Sequence, residues 1–198
     1  MTRLILASGS AIRAQVLRQA EVPFEIVPAR IDEEAVKDSL AAEKAPLERV
    51  PETLAEMKAL RVSASHTGAL VLGADQILAF DGAVVSKSAD IGEARALLRR
   101  LRGKEHRLIG GTVLAKDGVP IWRHLAVSRL WLRDFSDEFL EDYLAREGEA
   151  ALSSVGCYRL EALGVQLFSR IEGDYFSILG LPLLPLLAAL REHGVIGS

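Results

Sequence analysis

The apolar positions of this chain fall into short runs and helical stripes that alternate along its length. Arg3 to Ala7 reads as a first strand, Ser8-Gly9-Ser10 as a turn, and Ala11 to Ala20 as a helix capped by Ser10, with Ile12, Val16 and Leu17 on one face. Pro23 to Arg30 reads as a second strand, followed by the acidic, helix-starting stretch Ile31-Asp32-Glu33-Glu34. Pro51 opens a helix continued by Leu54, Met57 and Leu60, and Gly68 ends the segment. Leu70 to Phe80 is almost wholly apolar and short, which predicts a strand buried in a sheet, and Asp81-Gly82 turns it into the short partner Ala83 to Lys87.

In the second half, Asp90 and Glu93 form a capping-box-like pair ahead of Ala94, Leu97, Leu98 and Leu101, and Gly103 stops that helix. Two long strands, from about His106 to Ala115 and from Val119 to Leu132, flank the hairpin signal Asp117-Gly118. Ser136 opens a helix that closes near Gly148. Val165 to Ile171 reads as a strand, Glu172-Gly173-Asp174 as a turn, and Leu181-Pro182-Leu183 leads a last helix to Gly194. Strand–helix alternation followed by a long hairpin predicts an α/β fold with a mixed, partly antiparallel sheet and helices on its faces.

Composition narrows the functional classes. The chain has 198 residues, 49% hydrophobic and 26% charged, which is ordinary for a globular protein. A formal net charge of -3 argues against general attraction to nucleic acid. The single cysteine, Cys157, excludes an internal disulfide and a multi-cysteine metal site, and suits a reducing cytoplasm. The opening residues hold too short an apolar run for a secretory leader. Ile178 to Leu190, broken by Gly180, Pro182 and Pro185, is too short to span a bilayer, so no membrane association is expected.

One residue breaks the pattern. Asp75 lies in the middle of the apolar Leu70–Phe80 run, where an ionised carboxylate costs several kcal/mol unless it is paired or coordinated. It is either a defect in a core or a reactive group facing a cleft. Ser8-Gly9-Ser10 before a helix is either an ordinary cap or an anion site, with Arg13 placed to add a contact to phosphate. Glu33 is either a solvated carboxylate at a helix start or an oxygen ligand for a hard cation. Lys58, among apolar neighbours, would ordinarily snorkel to solvent. Trp122 and Trp131 read as packing residues, Cys157 as a small buried side chain. His106 and His124 lack metal-ligand spacing.

In order, Leu6-Ala7-Ser8-Gly9-Ser10-Ala11-Ile12-Arg13, Asp32-Glu33, Leu54-Ala55 with Lys58-Ala59, Gly73-Ala74-Asp75-Gln76, Asp81-Gly82 with Lys87, Leu101-Gly103-His106, Val155-Gly156-Cys157-Tyr158 and Gly180-Leu181-Pro182-Leu183 resemble the Maf family across essentially the whole chain. The resemblance implies one domain over residues 1–198, a two-lobed Maf/inosine-triphosphatase-like fold around a central cleft. It implies a nucleoside triphosphate pyrophosphatase that hydrolyses the α–β phosphate bond with magnesium or manganese, and a homodimer as a common state. By position it makes Asp75 the proton acceptor, Glu33 with Asp75 the metal ligands, and Ser8, Ser10, Arg13, Lys58 and Lys87 the residues around the triphosphate.

Where the family usually has Ser-Pro-Arg-Arg, this chain has Ser10-Ala11-Ile12-Arg13, which removes one charged donor; Lys87-Ser88 replaces Lys-Pro and keeps the charge. Within the family, the positions of Ile12, Gln76 and Glu161 tune base choice. They resemble the branch acting on N7-methyl-GTP more than the dTTP/UTP branch, and a carboxylate such as Glu161 could accept from guanine N1–H and the 2-amino group. Two other readings stand beside this one: a dTTP/UTP-type enzyme, and a low-turnover nucleotide-binding regulator of cell division, motivated by the altered Ser10–Arg13 turn.

Overall fold

In a computed structural model, which describes residues 2–197, strand β1 (Leu4–Leu6) pairs in parallel with β2 (Glu25–Ile26) on one side and β3 (Leu70–Phe80) on the other. The remaining strands are β4 (Ala83–Val85), β5 (Glu105–Lys116), β6 (Val119–Leu132) and β7 (Phe168–Glu172). Among the described residues they form one seven-stranded sheet in the order β2-β1-β3-β5-β6-β7, with β4 antiparallel to the end of β3 and β7 antiparallel to β6. The sheet is therefore mixed. Its turns Asp81-Gly82 and Asp117-Gly118 have positive φ at both residues (51° and 76°, 50° and 78°), the backbone that tight two-residue hairpins require.

The period of two along each strand sorts side chains to opposite faces. Leu4, Leu6, Leu70, Leu72 and Ala74 pack with Val16 and Leu17 of α1 (Ala11–Gln19) and with Leu186 and Leu190 of α7 (Leu183–Glu192). Ile5, Ala7 and Val71 pack with Val62 of α3 (Arg49–Ser63), whose Ala55 and Ala59 meet Val113 and Ala115 of β5. Both faces are covered, which explains the unbroken apolar run of β3.

Contacts divide the chain into two compact units. The first comprises Met1–Gln76, Ile109–Ala126 and Asp174–Ser198; the second comprises Ile77–Leu108 and Val127–Gly173. Met1 and Ser198, the ends of the expected 1–198 domain, lie outside the described residues. In the second unit α4 (Ile91–Leu101) and α5 (Asp137–Glu147) are laced by the bidentate Arg95–Glu141 pair and by Arg102–Asp137. Asp90 caps α4, and Glu93 reaches back to the Ala89 N–H at 2.8 Å. His106, Tyr158 and Phe168 form a buried aromatic cluster in the same unit. Among the described residues no helix is long and apolar enough to cross a membrane.

Three elements differ from the sequence reading. The expected Pro23–Arg30 strand contracts to the exposed pair Glu25–Ile26, because Pro23 and Pro28 bracket it and bring no N–H to a ladder. The expected Val165–Ile171 strand begins only at Phe168. The residues before it form a 3-10 turn, Leu163–Leu167, in which Gly164 sits against the backbone of Arg159, where a Cβ would stand 2.6 Å from the Arg159 nitrogen. Between Asp174 and Leu181 there is a one-turn helix, α6 (Tyr175–Ile178), below the length that periodicity reveals.

Candidate active site

The alternation that buries Val71 against α3 sends Gly73 and Asp75 to the same side of β3. Gly73 lets the helix come very close: a Cβ there would lie 2.1 Å from the Ala55 carbonyl oxygen and 2.9 Å from the Ala59 Cβ. Lys58 stands between those two alanines in sequence, so the backbone contact at Gly73 brings its side chain beside Asp75. Both residues are 7% exposed. The Lys58 Nζ donates to Asp75 Oδ1 at 2.7 Å and lies 2.8 Å from Glu33 Oε1. Glu33 is the first residue of α2 (Glu33–Ala42), whose cap Asp32 accepts from the Ala35 N–H at 3.1 Å. The lysine expected to snorkel outward is thus turned inward, held by two carboxylates.

Burial pushes the Asp75 carboxyl above its ordinary range; Lys58 and Arg13 pull it back, and the Glu33 charge adds to the rise. A buried carboxyl with a raised pKa and cations at hand marks a candidate functional site. Asp75 and Glu33 are two carboxylates that face one common cation, the Lys58 ammonium. Among the described residues no group of three His, Cys, Asp or Glu is placed to hold a metal. Two carboxylates that share one cation would suit a magnesium-type ion, which takes its remaining positions from phosphate and water oxygens.

On the opposite side of β3, α1 begins at the Ser8–Ser10 turn. Ser10 does cap the helix, its Oγ accepting from the Arg13 N–H at 3.5 Å, while Ser8 Oγ accepts from the Ser10 N–H at 3.2 Å. Arg13 is buried, and burial lowers its guanidinium from the ordinary value against the charges of Asp75 and Glu33. Its Nε donates to the Gly180 carbonyl at 3.1 Å, and its Nη1 to the Ala74 carbonyl at 2.8 Å and Ser8 Oγ at 3.2 Å. Gln76, half-buried, donates from Nε2 to the Ser177 and Ile178 carbonyls at 2.9 and 3.4 Å. Of this Asp174–Leu181 segment, only Gly180-Leu181 enters the motifs read from the sequence. The signal for the rest was present as Asp174 three residues before Ser177: Asp174 Oδ2 accepts from both the N–H and the Oγ of Ser177 at 2.7 Å.

Ser8, Ser10, Ile12, Arg13, Glu33, Lys58, Asp75 and Gln76 all belong to the first unit, with Ile12 half-buried on α1. Lys87 and Glu161 belong to the second, Lys87 exposed just past β4 and Glu161 in an exposed turn. Cys157 is fully buried, and its thiol donates to Ser88 Oγ at 3.2 Å. Trp122 is half-buried against the first core and stacks on His124; the guanidinium groups of Arg129 and Arg170 both lie over the Trp131 ring.

With strand order, glycine-mediated helix seat and carboxylate–lysine pair in hand, the chain belongs to the Maf-like protein family, whose model matches residues 3–193. It is 53% identical over 190 residues to the nucleoside triphosphate pyrophosphatase of Paramagnetospirillum magneticum, covering 96% of this chain and 98% of that one. It is 51% identical over 198 residues to the protein of the same name from Maricaulis maris, covering 99% of each. With that of Granulibacter bethesdensis the identity is 50% over 191 residues, 96% of this chain and 97% of the other.

Proposed function

We propose that this protein is a metal-dependent nucleoside triphosphate pyrophosphatase, cleaving the α–β phosphate bond to give a nucleoside monophosphate and pyrophosphate. The observation that carries the reading is the buried Asp75 on an apolar strand, sharing the Lys58 ammonium with Glu33, in a chain about half identical to nucleoside triphosphate pyrophosphatases over nearly its full length. Asp75 accepts the proton of the attacking water. Lys58, released from its carboxylates by the incoming charge, turns to a phosphate oxygen. Ser8, Ser10 and the start of α1 offer hydroxyl and N–H donors, and Arg13 contributes positive charge from below. Glu33 and Asp75 would hold magnesium or manganese, which supplies neutralisation of the phosphate charge and a more acidic bound water.

The substrate we infer is a modified purine nucleotide, N7-methyl-GTP, so that the enzyme clears non-standard nucleotides from a cytoplasmic pool. Ile12, Gln76 and Glu161 support this choice over dTTP or UTP: the Glu161 carboxylate matches the donor edge of guanine, and its charge complements a cationic methylated ring. The test is a panel of N7-methyl-GTP, GTP, UTP and dTTP with magnesium, following pyrophosphate. Fastest turnover of N7-methyl-GTP is expected, with Asp75→Asn slower by about a thousandfold. Release of single phosphate overturns the bond assignment, and preference for UTP or dTTP overturns the base assignment. Tight binding without turnover would make the protein a nucleotide-binding regulator instead.

A further inference from the structure

We propose that Gln76 and Arg13 are positioning residues that tie the Asp174–Leu181 segment to the reactive strand from both sides of Asp75, and that Gln76 influences turnover through this segment. The inference rests on Asp75 as the reactive group. A four-residue helix such as α6 cannot sustain itself by its own hydrogen bonds. The Ser177 carbonyl takes the Gly180 N–H at 3.0 Å, and the strand and α1 add donors from outside the segment: Gln76 Nε2 to Ser177 and Ile178, and Arg13 Nε to Gly180. Arg13 also holds the Ala74 carbonyl, so the residue before Asp75 and the residue after it are both bound into the same tie.

The chemistry of the tie is specific. Two successive carbonyls call for a donor, which fixes the Gln76 amide with its nitrogen toward them. Gly180 has φ of +105°, and a Cβ there would lie 3.1 Å from Arg13 Nε, so the close approach of guanidinium to backbone requires glycine. Asp174 closes the other end through both Ser177 donors. Every hydrogen bond that Arg13 makes from its side chain goes to a carbonyl or hydroxyl oxygen, the pattern of a backbone clamp.

The experiment compares the full-length protein with Gln76→Glu and Gln76→Met, which keep the side-chain length and lose the donor. Amide hydrogen exchange by mass spectrometry and steady-state kinetics are read on each. Expected are exchange at residues 175–181 faster by about tenfold, kcat lower by about tenfold and KM within threefold. Gln76→Lys, which restores a donor, is expected to recover at least half of the exchange protection. Unchanged exchange at 175–181 in both donor-less variants overturns the tie, and a shifted N7-methyl-GTP/GTP ratio with normal exchange assigns Gln76 to the base directly. If the unaltered protein shows no pyrophosphatase activity, the functional reading fails, while the exchange arm still decides the tie.

Discussion

At the scale of single residues, the site turns on how Asp75 carries its charge. Its carboxyl is pushed up by burial, so the ionised form that the proposed mechanism needs as proton acceptor is reached only above the ordinary carboxylate value of 3.8. kcat/KM is therefore expected to rise with pH through an acid limb that lies above 3.8. A pH–rate profile with its limb at or below that value would remove Asp75 from the role. Lys58 is the counterpart. Replacing it with methionine leaves two neighbouring carboxylates without their shared ammonium, and is expected to cost about 3 kcal/mol at neutral pH. The sign follows from the pull of Lys58 on Asp75: without the ammonium the Asp75 carboxyl rises further above its ordinary value, so the loss is full where Asp75 is ionised and shrinks as acid neutralises the carboxylate. Urea unfolding of both proteins at pH 7 and pH 4 measures this, and equal losses at the two pH values would contradict it.

At the scale of elements, the site depends on how closely α3 is seated on the sheet. Gly73 lies against the Ala55 carbonyl, and Gly111 of β5 lies against Pro51, where an added Cβ would stand 2.4 Å from the carbonyl oxygen. Two glycines on adjacent strands thus let one helix rest on bare backbone, and Lys58 is carried to Asp75 by that contact. Gly73→Ala is expected to cost about 3 kcal/mol and to lower turnover by at least tenfold, because the helix must lift away from the reactive strand. Thermal unfolding and pyrophosphate release check it; a variant with unaltered stability would show that the helix is not seated this way. Much of this element was legible in the chain. An apolar run too short for a helix gave β3, and a single carboxylate inside it gave Asp75. The inward turn of Lys58 was not legible, since it depends on Glu33 arriving from a separate helix. The Arg13–Gly180 bond spans 167 residues and leaves no local trace in composition or periodicity.

At the scale of the whole molecule, the sequence pattern conveyed the mixed sheet and its helical cover because β-turn residues and capping pairs punctuate it locally, while buried polar pairs between distant segments were not encoded in any such signal. His106 is the clearest instance, and it has a consequence for global stability. Read as a histidine without metal spacing, it proves to be 2% exposed, with Nε2 2.7 Å from the Tyr158 hydroxyl oxygen and Nδ1 buried with no hydrogen-bond partner among the described residues. Burial holds its pKa down to about 4, against 6.5 for a free imidazole. The neutral ring is the form that the fold accepts, whereas the unfolded chain takes up a proton below pH 6.5. The stabilisation is therefore complete above pH 6.5, is lost progressively as the pH falls toward 4, and does not decline further from this group below that. The shift corresponds to about 3 kcal/mol. His106→Gln, which hydrogen-bonds without titrating, is expected to be less stable than the parent at pH 7 and to lose about 3 kcal/mol less between pH 7 and pH 4. Denaturant unfolding at half-unit pH steps gives the two curves. Parallel curves across that window would mean that His106 is solvated or protonated in the folded protein, and that the aromatic cluster around Tyr158 and Phe168 is looser than its geometry.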